Sequence, residues 1–289
     1  MLEPLTGLVS TYGYWLVFGL IALAVWVARR LARNESGVRR VWEMLQRRLG
    51  LSRLRQWTME RLRFPAGQAA VIWGGFVAAL LAGWLFGAMA EDVIMQDSMT
   101  LYDGAIGRWF LSYATEDSHE FFFAITQLGG TWAIAAGSLL LGGWLVWRKR
   151  FAGLISLLAS VGGGILLNMA LKNIFLRPRP DFVNAFYHET GYSFPSGHSM
   201  MSVLFYGMTA FLLASQLKTW KWRVWLGTSA FTLALLIGVS RLALGVHFLT
   251  DVLGGWGAGA AWLMTCVIIY QLADSRIRKT PESLDLATG

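Results

Sequence analysis

Seven apolar runs, most about twenty residues long and separated by polar segments, constrain this chain more than any other feature. Runs of that length cross the ~30 Å hydrocarbon core as helices, which satisfy their own backbone hydrogen bonds. Only 15% of the residues are charged, against about 25% in soluble domains. An ordinary soluble fold is therefore excluded, and the expected class is all-α, a polytopic helical membrane protein. Fifteen tryptophans and eight tyrosines suit aromatic belts at the two interfaces. Cys266, the single cysteine, lies within an apolar run and reads as a small packed hydrophobe. The first run, 8–28, lacks a small-residue cleavage site followed by a soluble domain, so it reads as a span and not as a signal peptide.

The spans are expected near 8–28, 68–90, 121–147 (entered near Gly129 and Gly130), 151–171, 198–216, 224–239 and 248–272. The chain carries a net charge of +8, and residues 29–64 account for all of it with eleven Arg and three Glu. Beside membrane spans such charge anchors to anionic headgroups, and no nucleic-acid partner is expected. Val38, Val41, Trp42, Leu45 and Leu49 recur at helical spacing among Arg39, Arg40, Arg47 and Arg48, as in a helix lying in the interface. Gly50 breaks it, Leu51, Leu54 and Leu62 continue a weaker stripe, and Pro65 introduces the second span. Segment 91–120 is acidic, and Leu101, Ile106, Trp109 and Phe110 suggest a short surface helix there. The chain divides into 1–66 (first span and basic segment), 67–273 (core) and 274–289 (polar tail), with 280–289 expected to be disordered.

With seven spans, the basic segments 29–64, 148–150, 218–223 and 276–279 all fall on one side, which the positive-inside rule makes the cytoplasm. The segments 91–120, 172–197 and 240–247 fall on the other side, the periplasm in a bacterium. Gly162, Gly163 and Gly164, and Gly254, Gly255, Gly257 and Gly259, lie inside apolar runs and read as close helix packing, not as nucleotide loops.

Three polar clusters share the outer side. Lys172, Arg177 and Arg179, stiffened by Pro178 and Pro180, sit where the positive-inside trend disfavours cations; an anionic ligand explains them, since Arg gives bidentate bonds to phosphate. In Pro195-Ser196-Gly197-His198 a hydroxyl, a glycine N–H and an imidazole meet at the start of the fifth span, where free N–H groups and the helix dipole favour an anion. An N-cap role for Ser196 and an interfacial role for His198 are the plainer alternatives. Ser240 and Arg241 precede His247 and Asp251, which are four apart and would share a helix face. Asp251 lies just inside an apolar run, where an unpaired carboxylate is expensive and pairing with His247 relieves it.

Three chemistries fit these residues. In phosphate-ester chemistry the cations hold phosphate, one histidine attacks and the other protonates the leaving group. A metal site would use His198, His247 and Asp251, but the surrounding cations repel a divalent ion. A serine hydrolase would use Ser196, His247 and Asp251, but Ser196 lacks the Gly-x-Ser-x-Gly elbow. The phosphate reading accounts for the most residues.

Lys172-x6-Arg179-Pro180, Pro195-Ser196-Gly197-His198 and Ser240-Arg241-x5-His247-x3-Asp251 resemble the three signature motifs of the type 2 phosphatidic acid phosphatase (PAP2) superfamily, with every position filled. The resemblance covers about residues 68–272 and implies a six-helix core, to which the first span is an extra N-terminal transmembrane helix. It implies a bacterial lipid phosphatase in the inner membrane with its site facing the periplasm. His247 would be the nucleophile, Asp251 its orienting partner and His198 the general acid. Lys172, Arg179, Ser196, Gly197 and Arg241 would hold the phosphate, and Arg177 would be a secondary contact. No metal and no cofactor are implied. The expected partners are the bilayer and a lipid phosphate: undecaprenyl pyrophosphate, phosphatidylglycerophosphate, phosphatidic acid or a related lipid. No protein partner is indicated. A phosphotransferase with the same phosphohistidine, or a lipid-binding or transport protein that retains the pocket, are the alternatives. His119 and His188 match no signature and are expected to be surface polarity.

Overall fold

The computed structural model describes residues 3–48, 50, 53, 56, 66–112, 114–182 and 189–285, with the backbone alone over 3–16, 46, 66–67, 98 and 274–285. His188, Pro65 and the stripe Leu51, Leu54 and Leu62 lie outside the described residues. Regular structure among the described residues is helical throughout. The helices are α1 (Glu3–Arg33), α2 (Glu35–Arg48), α3 (Ala66–Met95), α4 (Ser98–Ser112), α5 (Glu116–Gln127), α6 (Thr131–Trp147), α7 (Phe151–Phe175), α8 (Gly197–Ala214), α9 (Trp220–Ala243) and α10 (Leu249–Asp285).

Six stretches among the described residues are long and apolar enough to cross a membrane: 68–95, 116–147, 151–175, 197–214, 220–243 and 249–273. They coincide with the second to seventh expected spans. The chain is a multi-pass membrane protein. Helix α1 covers the expected first span, and its Val17 packs with Phe122 of α5 and Leu236 of α9. Helix α2 forms where the amphipathic repeat predicts it. Its Val41, Trp42, Met44 and Leu45 are exposed, and the edge of the Trp42 ring also lies against α3 at Gly74.

Three elements differ from expectation. The third span is two helices, because Gly129 and Gly130 interrupt it and Gly130 becomes the N-cap of α6. Helix α7 runs four residues beyond the expected end, so Lys172 sits in its last turn and not in the loop. It stops at Leu176, whose φ of 49° is left-handed, just before Pro178 and Pro180. Helix α10 continues to Asp285, so the polar tail is helical over 280–285; residues 286–289 lie outside the described ones.

Helix α8 is central. Met200, Leu204, Met208 and Leu212 recur every four residues and are all buried, facing Leu263 and Val267 of α10 and Leu157 and Val161 of α7. The glycines let α10 approach both neighbours. A Cβ at Gly255 would lie 2.7 Å from the Ser196 carbonyl oxygen, and one at Gly259 2.9 Å from that of Met200. On the other side, a Cβ at Gly257 would lie 2.9 Å from the Phe86 nitrogen of α3. A Cβ at Gly163 would come within 2.6 Å of the Trp262 ring. The glycines therefore serve packing, as their place in apolar runs predicts.

Candidate active site

The site forms where the ends of α7, α8, α9 and α10 meet. Each functional side chain is placed by the way its own segment stops or starts. Helix α9 ends in a Schellman motif: Gly245, with φ of 70°, bonds back to the Leu242 carbonyl, and the Val246 N–H reaches that of Arg241. This turn swings His247 back toward the bundle. Phe248 then precedes α10, and Asp251 lies in its first turn.

His247 and Asp251 do meet, though not as neighbours on one helix face, because His247 lies before α10 begins. Asp251 Oδ2 instead folds back over the helix start. It accepts from the Phe248 N–H at 2.9 Å and faces His247 Nδ1 at 3.2 Å. The other imidazole nitrogen, Nε2, lies 3.2 Å from Arg179 Nη1. A guanidinium has only protons to offer, so Nε2 presents its lone pair and Nδ1 carries the hydrogen donated to Asp251. Burial, Arg241 and Arg179 together hold the imidazole well below its ordinary pKa, outweighing the nearby Glu189. His247 is therefore neutral at physiological pH, with one lone pair aimed at a cluster of cations.

Those cations come from separate segments. Lys172 donates to the Tyr192 carbonyl at 2.8 Å. Arg179 donates to the carbonyls of Gly191 (3.1 Å) and Val246 (3.0 Å). Arg241 is fully buried on α9 and donates to Thr126 Oγ1 at 2.8 Å. Gly191 has φ of 82°, which suits glycine and bends this loop over the cluster. Lys172, Arg179, Arg241 and Glu189 exert their fields on both His198 and His247, so the three sequence clusters converge.

Ser196 is the N-cap of α8; its Oγ accepts from the Ser199 N–H and hydroxyl. Its own hydroxyl proton and the Gly197 N–H remain at the helix start, where an anion is favoured. Phe194 anchors this turn, buried against Phe86 and Phe175. Asn168 supports it by donating to the Pro195 carbonyl at 3.4 Å. His198 lines a crevice of about 380 Å³ with Gly129, Ile134, Ala135, Ile165 and Met201, so a polar end joins an apolar wall.

Arg177 stands apart from the other cations. It is buried, donates to Asp251 Oδ1 at 2.6 Å, Thr250 Oγ1 at 2.7 Å and Asp103 Oδ2 at 2.8 Å, and covers the Phe248 ring. Its donors thus face carboxylates and a hydroxyl. His119 stacks on Phe123. Among the described residues no group of three or more His, Cys, Asp and Glu could hold a metal ion.

Two acidic residues belong to the site without any signal in the sequence. Asp103 of α4 is buried and pairs with Arg177. Glu189 bridges Arg179 (2.9 Å) and Arg241, one oxygen to each. Burial raises its pKa, but the two arginines prevail and hold it at about 2. Two guanidiniums thus grip one carboxylate, the geometry of charge-assisted pairing.

Residues 153–275 match the PAP2 superfamily. Phosphatidylglycerophosphatase B of Bacillus subtilis is 35% identical over 178 residues, 61% of this chain and 87% of that protein. An undecaprenyl-diphosphatase of Sulfolobus acidocaldarius is 36% identical over 121 residues, 40% of this chain and 53% of that protein. The crystal structure of a transmembrane PAP2-type phosphatidylglycerolphosphate phosphatase from Bacillus subtilis superposes with a TM-score of 0.62 at 32% identity, covering 70% of this chain and 98% of that one. The shared bundle, the filled motifs and the extent of the match lead to one conclusion: the chain belongs to the PAP2 superfamily, among its membrane-embedded lipid phosphate phosphatases.

Proposed function

We propose that the protein hydrolyses a phosphomonoester or diphosphate of a membrane lipid through a phosphohistidine on His247, without a metal, at the periplasmic face of a bacterial inner membrane. The observation that carries this reading is the His247 Nε2 lone pair, backed by Asp251 at Nδ1 and facing the cation cluster. Nε2 attacks phosphorus, and the bond to the leaving oxygen (of the lipid alcohol, or of the lipid monophosphate when the substrate is a diphosphate) breaks; His198, entering as the imidazolium that the bound phosphate's negative charge favours, protonates that oxygen. His198 then takes a proton from water as the water oxygen attacks the phosphohistidine. Phosphate leaves and His247 returns to its neutral form. Lys172, Arg179, Arg241, the Ser196 hydroxyl and the Gly197 N–H stabilise the charge on the phosphoryl oxygens. Asp251 holds the imidazole in register and favours the cationic phospho-imidazole.

The crevice beside His198 supports a lipid as the carrier of the phosphate, since its apolar wall continues from the polar end. A phosphatidylglycerophosphate or an isoprenyl diphosphate, the groups named for the relatives, would both place a phosphate at the cluster and a chain in the crevice. Arg179, standing at the nitrogen that a metal would need, supports a metal-independent reading. The test is phosphate release from purified lipid phosphates in detergent with excess chelator. Wild type is expected to turn over and His247→Ala to be inactive. Undiminished release by His247→Ala, or activity that requires added metal, would overturn the mechanism.

A further inference from the structure

We propose that Asp103, on the extramembrane helix α4, is a positioning residue for His247, acting through Arg177, Thr250 and Asp251. The proposal rests on the phosphohistidine reading and extends it to a helix that carries none of the PAP2 motifs.

Asp103 is buried and uses both oxygens. Oδ1 accepts from the Thr250 N–H at 3.0 Å, and Oδ2 accepts from Thr250 Oγ1 at 2.5 Å and Arg177 Nη2 at 2.8 Å. Thr250 is the second residue of α10, so its N–H is one that the helix leaves unsatisfied. The residue before the helix, Phe248, has no side-chain oxygen with which to cap it. Asp103 supplies that cap from another helix, with a negative charge at the positive end of the α10 dipole.

The same carboxylate settles what Arg177 can do. Arg177 lies between two buried acids, with Nη2 on Asp103 and Nη1 on Asp251 Oδ1. Asp251 Oδ1 is thereby fixed, and Oδ2 is left to accept from His247 Nδ1 and the Phe248 N–H. Without Asp103, one cation faces one anion, and Arg177 cancels the charge that Asp251 presents to the imidazole. With Asp103, Arg177 is shared and Asp251 keeps charge for the phospho-imidazole. Asp103 touches none of Lys172, Arg179 or Arg241, so its loss weakens the chemical step and spares phosphate binding.

The experiment compares Asp103→Asn, Thr250→Val, Thr250→Ser and His247→Ala in detergent on one lipid phosphate, with kcat and KM expressed per folded molecule from thermal melts. Asp103→Asn is expected to lower kcat about ten- to a hundredfold, the range for losing a partner that orients a site group, with KM within about twofold. Thr250→Val, nearly isosteric, removes the hydroxyl shared by Asp103 and Arg177 and is expected to lower kcat less. Thr250→Ser restores that hydroxyl and is expected to match wild type. The Thr250 pair decides the matter if Asp103→Asn does not fold. A lower melting temperature with unchanged kcat, or kcat and KM failing together, would overturn the proposal. His247→Ala separates the two levels. If it is inactive while Asp103→Asn and Thr250→Val keep full kcat, Asp103 alone is misassigned; if it turns over normally, both readings fall.

Discussion

The two histidines stand among the same cations, but the proposed mechanism gives them different roles, and their variants are expected to separate accordingly. On the proposed mechanism His198→Ala removes the acid but leaves the nucleophile. It is expected to lose about 10²–10⁴-fold in kcat, the usual weight of general acid catalysis. A substrate with a good leaving group, such as an aryl phosphate, is expected to recover much of the first step. His247→Ala is expected to recover nothing with either substrate. The folded protein also keeps His247 unprotonated where the unfolded chain, with an ordinary value of about 6.5, binds a proton. The sign follows: stability from this group is complete above about pH 6.5 and declines as pH falls below it, by at most about 1.4 kcal/mol per pH unit. Melting scans from pH 8 to 5 are expected to show a shallower acid decline for His247→Gln. The histidines, Asp251 and the three cations could be singled out as candidates in the sequence because their spacing is local and the positive-inside count assigns their charge to the disfavoured side. Asp103 and Glu189 were not. Asp103 lies 74 residues from Arg177, and Glu189 lies 52 from Arg241. In an acidic surface segment and a polar loop, neither is distinguishable from its solvated neighbours until packing buries it.

Among the helices, the glycine face of α10 decides whether the site closes. Gly255 meets the Ser196 carbonyl and the Ser199 side chain, so Gly255→Ala drives backbone against backbone where no side chain can yield. It is expected to destabilise by about 1–3 kcal/mol and to lower activity, because the displaced turn carries Ser196, Gly197 and His198. Gly143→Ala is the control: its Cβ would meet nothing within 4 Å. Melting temperature should fall for the first and hold or rise slightly for the second. The spans themselves were legible from length and hydropathy. Their ends were less so, since helix termini depend on turns that composition does not encode. The left-handed Leu176 is such a turn, whereas the break at Gly129 and Gly130 was marked by the glycine pair itself. His247 and Asp251 were expected to pair through helix periodicity. They pair instead because a capping carboxylate reaches back over the helix start.

For the whole molecule, orientation and the route of the lipid are the open tests. With Cys266 replaced by Ala, single cysteines at Asp117 and Lys149, both exposed, report the two sides. A membrane-impermeant maleimide applied to intact cells is expected to label Asp117→Cys and to spare Lys149→Cys until the membrane is opened. The reverse pattern would invert the topology. Filling the crevice with Ala135→Trp is expected to raise KM for long-chain lipid phosphates several-fold and to leave a short, water-soluble phosphate unaffected. Glu189 has a consequence for the charge balance of the entire pocket. Because it stays ionised down to about pH 2, the arginines never wait bare for substrate. On the proposed function, binding is an exchange of one anion for another, so affinity would measure the difference between phosphate and an internal competitor. Released inorganic phosphate faces the same rival, which hastens its departure. Glu189→Gln is expected to tighten inhibition by phosphate or vanadate by about tenfold, the equivalent of ~1.4 kcal/mol. The pocket would then be slow to empty: on this reading the wild type carries its own eluent.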